Sequence, residues 1–176
     1  MKSTREDPRE TLPGAQGDSC TREWNMPSSS GRMNFRCSLL RHSARTRAMV
    51  CAIEITGEFF ARGTTKTSGE IVPDFKVVLS QVLIDRQAVR VLRDRLLEWH
   101  TNPASFEIEL GTSQEGDQHL SLALAEDPRL LYEVHKPACI ITYGSPSAMQ
   151  GRWSFLVDQS CVQTCAEELR ALLSAE

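Results

Sequence analysis

The sequence predicts an α+β fold: a mostly antiparallel sheet of about five to six strands, with two amphipathic helices packed on one face. Three observations carry this. Several short segments alternate apolar and polar residues with the period of two that marks a half-buried strand. Two segments shift to spacings of three and four, the mark of a helix with one apolar stripe. The two helical segments open alike, VLIDRQAVRVL at 82–92 and SFLVDQSCVQTC at 154–165, each with an apolar pair, an Asp and then a helical run. Placing Asp85 on Asp158 superposes Val89 on Val162, Leu92 on Cys165, Leu96 on Leu169 and Trp99 on Leu172. The chain thus reads as a repeated unit of strands followed by a helix.

With 176 residues, 40% of them hydrophobic, the chain can bury the core of one domain without disulfide or metal. Charge divides it. Residues 1–49 carry nine basic and five acidic side chains, a net of +4, and residues 50–176 carry eleven and eighteen, a net of −7. The first 49 residues also hold Pro8, Pro13, Pro27 and a run of three serines at 28–30, and read as a disordered basic leader. Its Arg- and Ser-rich end from Arg32 to Met49 admits a flexible tail, an over-long gene start with translation from Met33 or Met49, or an organelle transit peptide. Residues 50–176 form the single α+β domain.

Within that domain, Ile53 and Ile55 alternate with Glu54 and Thr56, and residues 74–84 form a longer β-prone run. Asp85 then offers a side-chain oxygen to the free donors of a helix start, and the helix should stop at residues 100–102, before Pro103. SFEIELG sets Phe106, Ile108 and Leu110 against Glu107 and Glu109. QHLSLALA sets Leu120, Leu122 and Leu124 against His119, Ser121 and Ala123, with TSQEGD as the hairpin between them. ACIITY and RWSFLV pair as a further hairpin. Asp158, with a Ser160-x-x-Gln163 spacing that fits a capping box, starts the last helix.

No stretch of 18 apolar residues spans a bilayer and no apolar secretory signal opens the chain, so a soluble, cytoplasmic protein is expected. The acidic balance and the absence of a basic, aromatic-laced motif argue against nucleic acid as the main partner. The six cysteines read as reduced, partly buried thiols, with Cys20 and Cys37 in the leader. Cys161 and Cys165 stand one helical turn apart, but no second pair completes a zinc site, and Cys165 falls on the core stripe. No nucleophile elbow, Walker motif or dinucleotide fingerprint occurs. No catalytic, cofactor-binding or metal-binding residue is assigned. The candidate binding face is the sheet surface carrying Glu107, Glu109, His119 and Ser121.

An N-terminal strand, a strand leading into LIDRQAVRVLRDRLLEW, then FEIEL, HLSLALA and RWSFLVDQSCVQTCAEELRALL follow in an order that resembles small bacterial proteins related to the WapI-like immunity family. The resemblance spans about residues 51–175 and leaves out the leader. It implies a single-domain, non-enzymatic α+β protein, some relatives of which neutralise a partner toxin by binding it. The expectation is therefore a protein-binding module of immunity type with a protein partner; its oligomeric state is left open. The alternative is a metal-dependent enzyme or hydrolase built on His119, His135 and nearby carboxylates.

Overall fold

Wherever the chain alternates, it forms strands, and there are more of them than the leader reading allows. The computed structural model describes residues 22–43, 48–58, 75–127, 137–145 and 150–174. Among these, β1 (Glu23–Pro27), β2 (Met33–His42), β3 (Ala48–Gly57) and β4 (Phe75–Asp85) precede α1 (Arg86–Thr101). Then β5 (Phe106–Thr112), β6 (His119–Ala125), β7 (Ala138–Gly144) and β8 (Gly151–Leu156) precede α2 (Gln159–Ser174). The strands form one antiparallel sheet in chain order, β1 to β8, so the expected five to six strands become eight.

The two extra strands come from the stretch expected to be a disordered leader, and that expectation is corrected for residues 22–43. In β1, Trp24 and Met26 point inward between Glu23 and Asn25, and in β2 Phe35 and Cys37 do so between Asn34, Arg36 and Ser38. These four inward side chains are all buried, and the Trp24 and Phe35 rings meet at 5.0 Å. Their burial supplies what composition alone denied the segment, apolar area enough to offset the cost of ordering it. A start at Met49 would remove both strands. Residues 1–21 lie outside the described residues.

The chain repeats four strands and a helix. The joint between the halves is thin: β4 and β5 pair only at Leu83 with Thr112 and Ile84 with Gly111. There the backbones approach so closely that a Cβ on Gly111 would lie 1.9 Å from the Leu83 carbonyl oxygen. Bulges bend the sheet at Leu39/Arg41, at Cys51/Ile53 and at Glu109/Gly111. Gln81, beside the second, takes a left-handed φ of 59°. The curvature brings the sheet's ends together at one corner, where the Ser29 N–H, just past β1, donates to the Leu156 carbonyl of β8 at 2.9 Å.

Both helices are capped as expected. Asp85 accepts from the Gln87 N–H at 2.9 Å, and Asp158 accepts from the Cys161 N–H at 3.0 Å. The expected capping box is not formed: Ser160 donates to Asp158 instead, and the Gln163 amide donates to Glu167. Helix α1 ends at Thr101, with the Asn102 N–H donating to the Glu98 carbonyl. The equivalent stripes Val89, Leu92, Leu96 and Val162, Cys165, Leu169, Leu172 are buried in one cluster with the inward residues of all eight strands. Trp99 and Trp153 pack against it, partly buried. The helices also touch each other, and α2 lies against β1.

Five cysteines, Cys37, Cys51, Cys139, Cys161 and Cys165, are buried free thiols; Cys20 lies outside the described residues. A hydrogen bond with Cys51 and full burial push the Cys37 thiol well up from its ordinary range, while the Trp24 indole, which makes no hydrogen bond of ordinary geometry, pulls it down. Burial alone raises Cys139, and it is the main cause for Cys165. No described helix is long and apolar enough to cross a membrane.

Candidate functional site

The face of the sheet opposite the helices carries the residues singled out from the sequence, and four of them meet. Period two puts Glu107 and Glu109 on the outer side of β5, and His119 and Ser121 on the outer side of β6. The β5–β6 register then sets Glu109 opposite Ser121. The bonds run diagonally. Ser121 Oγ donates to Glu107 Oε1 at 2.9 Å, and His119 Nδ1 lies 2.8 Å from Glu109 Oε1. Each carboxylate is held through one oxygen, leaving the other without a protein donor among the described residues. The Glu109 side chain is 60% exposed and that of His119 43%. His135, the other histidine considered, lies outside the described residues.

Two further residues extend the row. Ser121 pairs with Thr142 on β7, and Thr142 with Arg152 on β8, so Glu109, Ser121, Thr142 and Arg152 stand side by side across four strands. Together with Gly144 and Gln150 they line a hollow of about 520 Å³. Its floor is low because Gly144, opposite His119, has no side chain; its φ of 151° also suits glycine. A second hollow of about 420 Å³ runs along the thin joint between β4 and β5 and shares Glu109 with the first. Arg152 and Thr142 were not among the candidates, because the pairing of β7 with β8 sets their place. The one available signal was alternation: a strand that turns Trp153 inward turns Arg152 outward.

The charges are unequally satisfied. Arg152 Nη2 lies 3.6 Å from Asp127 Oδ2, whose side chain is 1% exposed, so the arginine at the far wall is tethered to a buried acid. In the first half of the sheet Lys76 pairs with Glu54, and Arg36 lies 3.9 Å from Glu23. Glu107 and Glu109 have, among the described residues, a hydroxyl and an imidazole as partners. Among the described residues no group of three or more His, Cys, Asp or Glu side chains is placed to hold a metal ion. Arg32, Arg36 and Arg41, read from sequence as part of a basic tail, lie on the folded β1–β2 turn and on β2.

Fold and hollow together define an α+β sheet protein with an open hollow on its outer face, edged by Glu107 and Glu109. Compared with protein-family models, with curated proteins and with solved structures, the chain gives no match.

Proposed function

We propose that the protein is a cytoplasmic, non-enzymatic binding module that engages a basic partner protein through the outer face of β5–β8, in the manner of an immunity-type inhibitor. One observation carries the reading. At the edge of the hollow, Glu107 and Glu109 each keep one carboxylate oxygen without a protein donor among the described residues. Leaving charge open in this way favours encounter with a basic surface, because complementary potentials speed association.

The test uses the full chain as bait in a native lysate, beside Glu107→Lys and Glu109→Lys variants, with mass-spectrometric identification of what is retained. A single protein held by the wild type and lost from both variants supports the reading. Its on-rate should fall with rising salt, and fall further when either glutamate becomes Gln. A partner retained equally by the charge-reversed variants, or an on-rate indifferent to both glutamates, removes this face as the interface.

A further inference from the structure

We infer that the exposed edge of β4 pairs with the same strand of a second copy of this chain, joining two sheets in a weak two-fold dimer. A bulge makes that edge. Cys51 pairs with Val82 and Ile53 with Leu79, so Ser80 and Gln81 together face Ala52 alone. Gln81 takes its left-handed φ of 59° there, a backbone conformation that is costly for a residue with a Cβ. Its side chain accepts a hydrogen bond from the Gln114 amide in the β5–β6 turn. Pairing with β5 is confined to Leu83 and Ile84, on the far side of the bulge. Among the described residues, Lys76 to Leu79 therefore have a strand on the β3 side only. Strain of this kind persists where the surrounding structure holds it, and here it sits where a central strand turns into an edge.

The side chains of this edge fit a copy of themselves. Lys76, Val78 and Ser80 are on its outer face, and Val77 and Leu79 on its inner face, partly buried against the core. Val78 is 54% exposed. Edges are ordinarily blunted by charge or by a covering element, as Glu168 of α2 covers the outward N–H of Asn25 on β1. On β4 the one charge between Phe75 and Gln81, Lys76, is turned back onto Glu54 of β3. An antiparallel pairing of two β4 strands about Val78 sets Val78 on Val78, Val77 on Leu79 and Lys76 on Ser80. Apolar side chains then meet apolar ones on both faces. The two lysines stand four residues apart along the pairing, roughly 13 Å, which exceeds the screening length at physiological salt. So short a strand pair buries little area, which is why the dimer is weak. The pairing uses neither Glu107 nor Glu109 and is independent of the binding face proposed above.

The test is analytical sedimentation of the full chain from about 10 µM to about 1 mM, beside Val78→Lys and Ser80→Glu variants. The wild type is expected to pass from monomer to dimer across this range. Val78→Lys should weaken the dimer at least about tenfold, because it sets two like charges on the two-fold axis. Its far-UV dichroism and unfolding midpoint should match the wild type, since the site is exposed. Ser80→Glu faces the second copy's Lys76 and should tighten the dimer about two- to fivefold, a gain that damage to a single copy would not imitate. A wild type that stays monomeric throughout, a dimer indifferent to Val78→Lys, or one that Ser80→Glu fails to tighten overturns the inference. So does a different protein captured by the wild type and lost from Val78→Lys while the chain alone stays monomeric, because the edge then belongs to that partner.

Discussion

Asn25 and Glu168 are 143 residues apart, and the Glu168 carboxylate of α2 accepts the Asn25 backbone N–H of β1 at 2.6 Å. The same oxygen lies 3.3 Å from the Asn25 amide nitrogen. The first strand of the sheet therefore has an outward backbone donor covered by the last helix. An uncovered edge is a template for pairing with another chain, and a carboxylate on the donor both satisfies it and repels an incoming strand. Glu168→Ala is expected to cost about 2 kcal/mol in urea unfolding, since the bond is charge-assisted. It should also raise the apparent mass in light scattering at high concentration. A variant as stable and as monodisperse as the wild type would show that this contact is not what closes the edge.

Gly111 marks the joint between the two halves. With β4 and β5 paired only through Leu83–Thr112 and Ile84–Gly111, little backbone holds the two strands together, and a Cβ on Gly111 would press into the Leu83 carbonyl. Backbone does not yield as a side-chain end would. Gly111→Ala should therefore destabilise by about 2 kcal/mol or more, or separate the unfolding of the two halves into two transitions. Tracking tryptophan fluorescence and far-UV dichroism together distinguishes these, because a split transition breaks their coincidence. A variant with an unchanged midpoint would show that this close approach does not limit the stability of the joint.

The pH dependence of α2 follows from its cap. Hydrogen bonds from the Ser160 hydroxyl and the Cys161 N–H hold the Asp158 carboxyl down from its ordinary 3.8 to about 2. Because the folded value lies below the unfolded one, the folded state binds fewer protons between them. The contribution is therefore complete above about pH 4 and is lost as pH falls toward 2. At neutral pH Asp158→Ala should cost about 1 kcal/mol, and Asp158→Asn, which keeps an acceptor, much less. The stability difference between wild type and the Asn variant should shrink on acidification; if it stays constant down to pH 2, Asp158 is not the titrating cap.

The parts of this architecture that were legible from sequence are those where one local pattern decides the outcome. Val89, Leu92 and Leu96 recur at helical spacing, and so do Val162, Cys165 and Leu169, and both stripes are buried. Asp85 and Asp158 announce the helix starts because capping depends on a few adjacent residues. The β1–β2 hairpin was missed although its alternation was present, Met33, Phe35 and Cys37 against Asn34, Arg36 and Ser38. Five residues of β1 beside prolines and a surplus of arginine made composition outweigh periodicity, and what orders that strand is long-range contact with α2. The site divides the same way. Glu107, Glu109, His119 and Ser121 follow from alternation on two strands joined by a tight hairpin. Arg152 and Asp127 depend on the register of strands further along the sheet.

The buried thiols give a chemical check on the packing itself. Cys37, Cys51, Cys139 and Cys165 are each 2% exposed or less, whereas Cys161 is 7% exposed and near the start of α2. Alkylation needs both contact with solvent and the thiolate; the hydrogen bond with Cys51 and burial raise the Cys37 thiol, and burial raises those of Cys139, Cys165 and Cys161, so exposure is what sets Cys161 apart. Of the five, Cys161 should be alkylated first in the native protein. The other four should react only through global opening, slower than the unfolded chain by a factor of roughly a thousand or more. Peptide mapping after timed alkylation measures each rate, and destabilising the fold through Gly111→Ala should speed the four core thiols together. Rapid modification of Cys165 under native conditions would contradict the burial of α2 against the sheet.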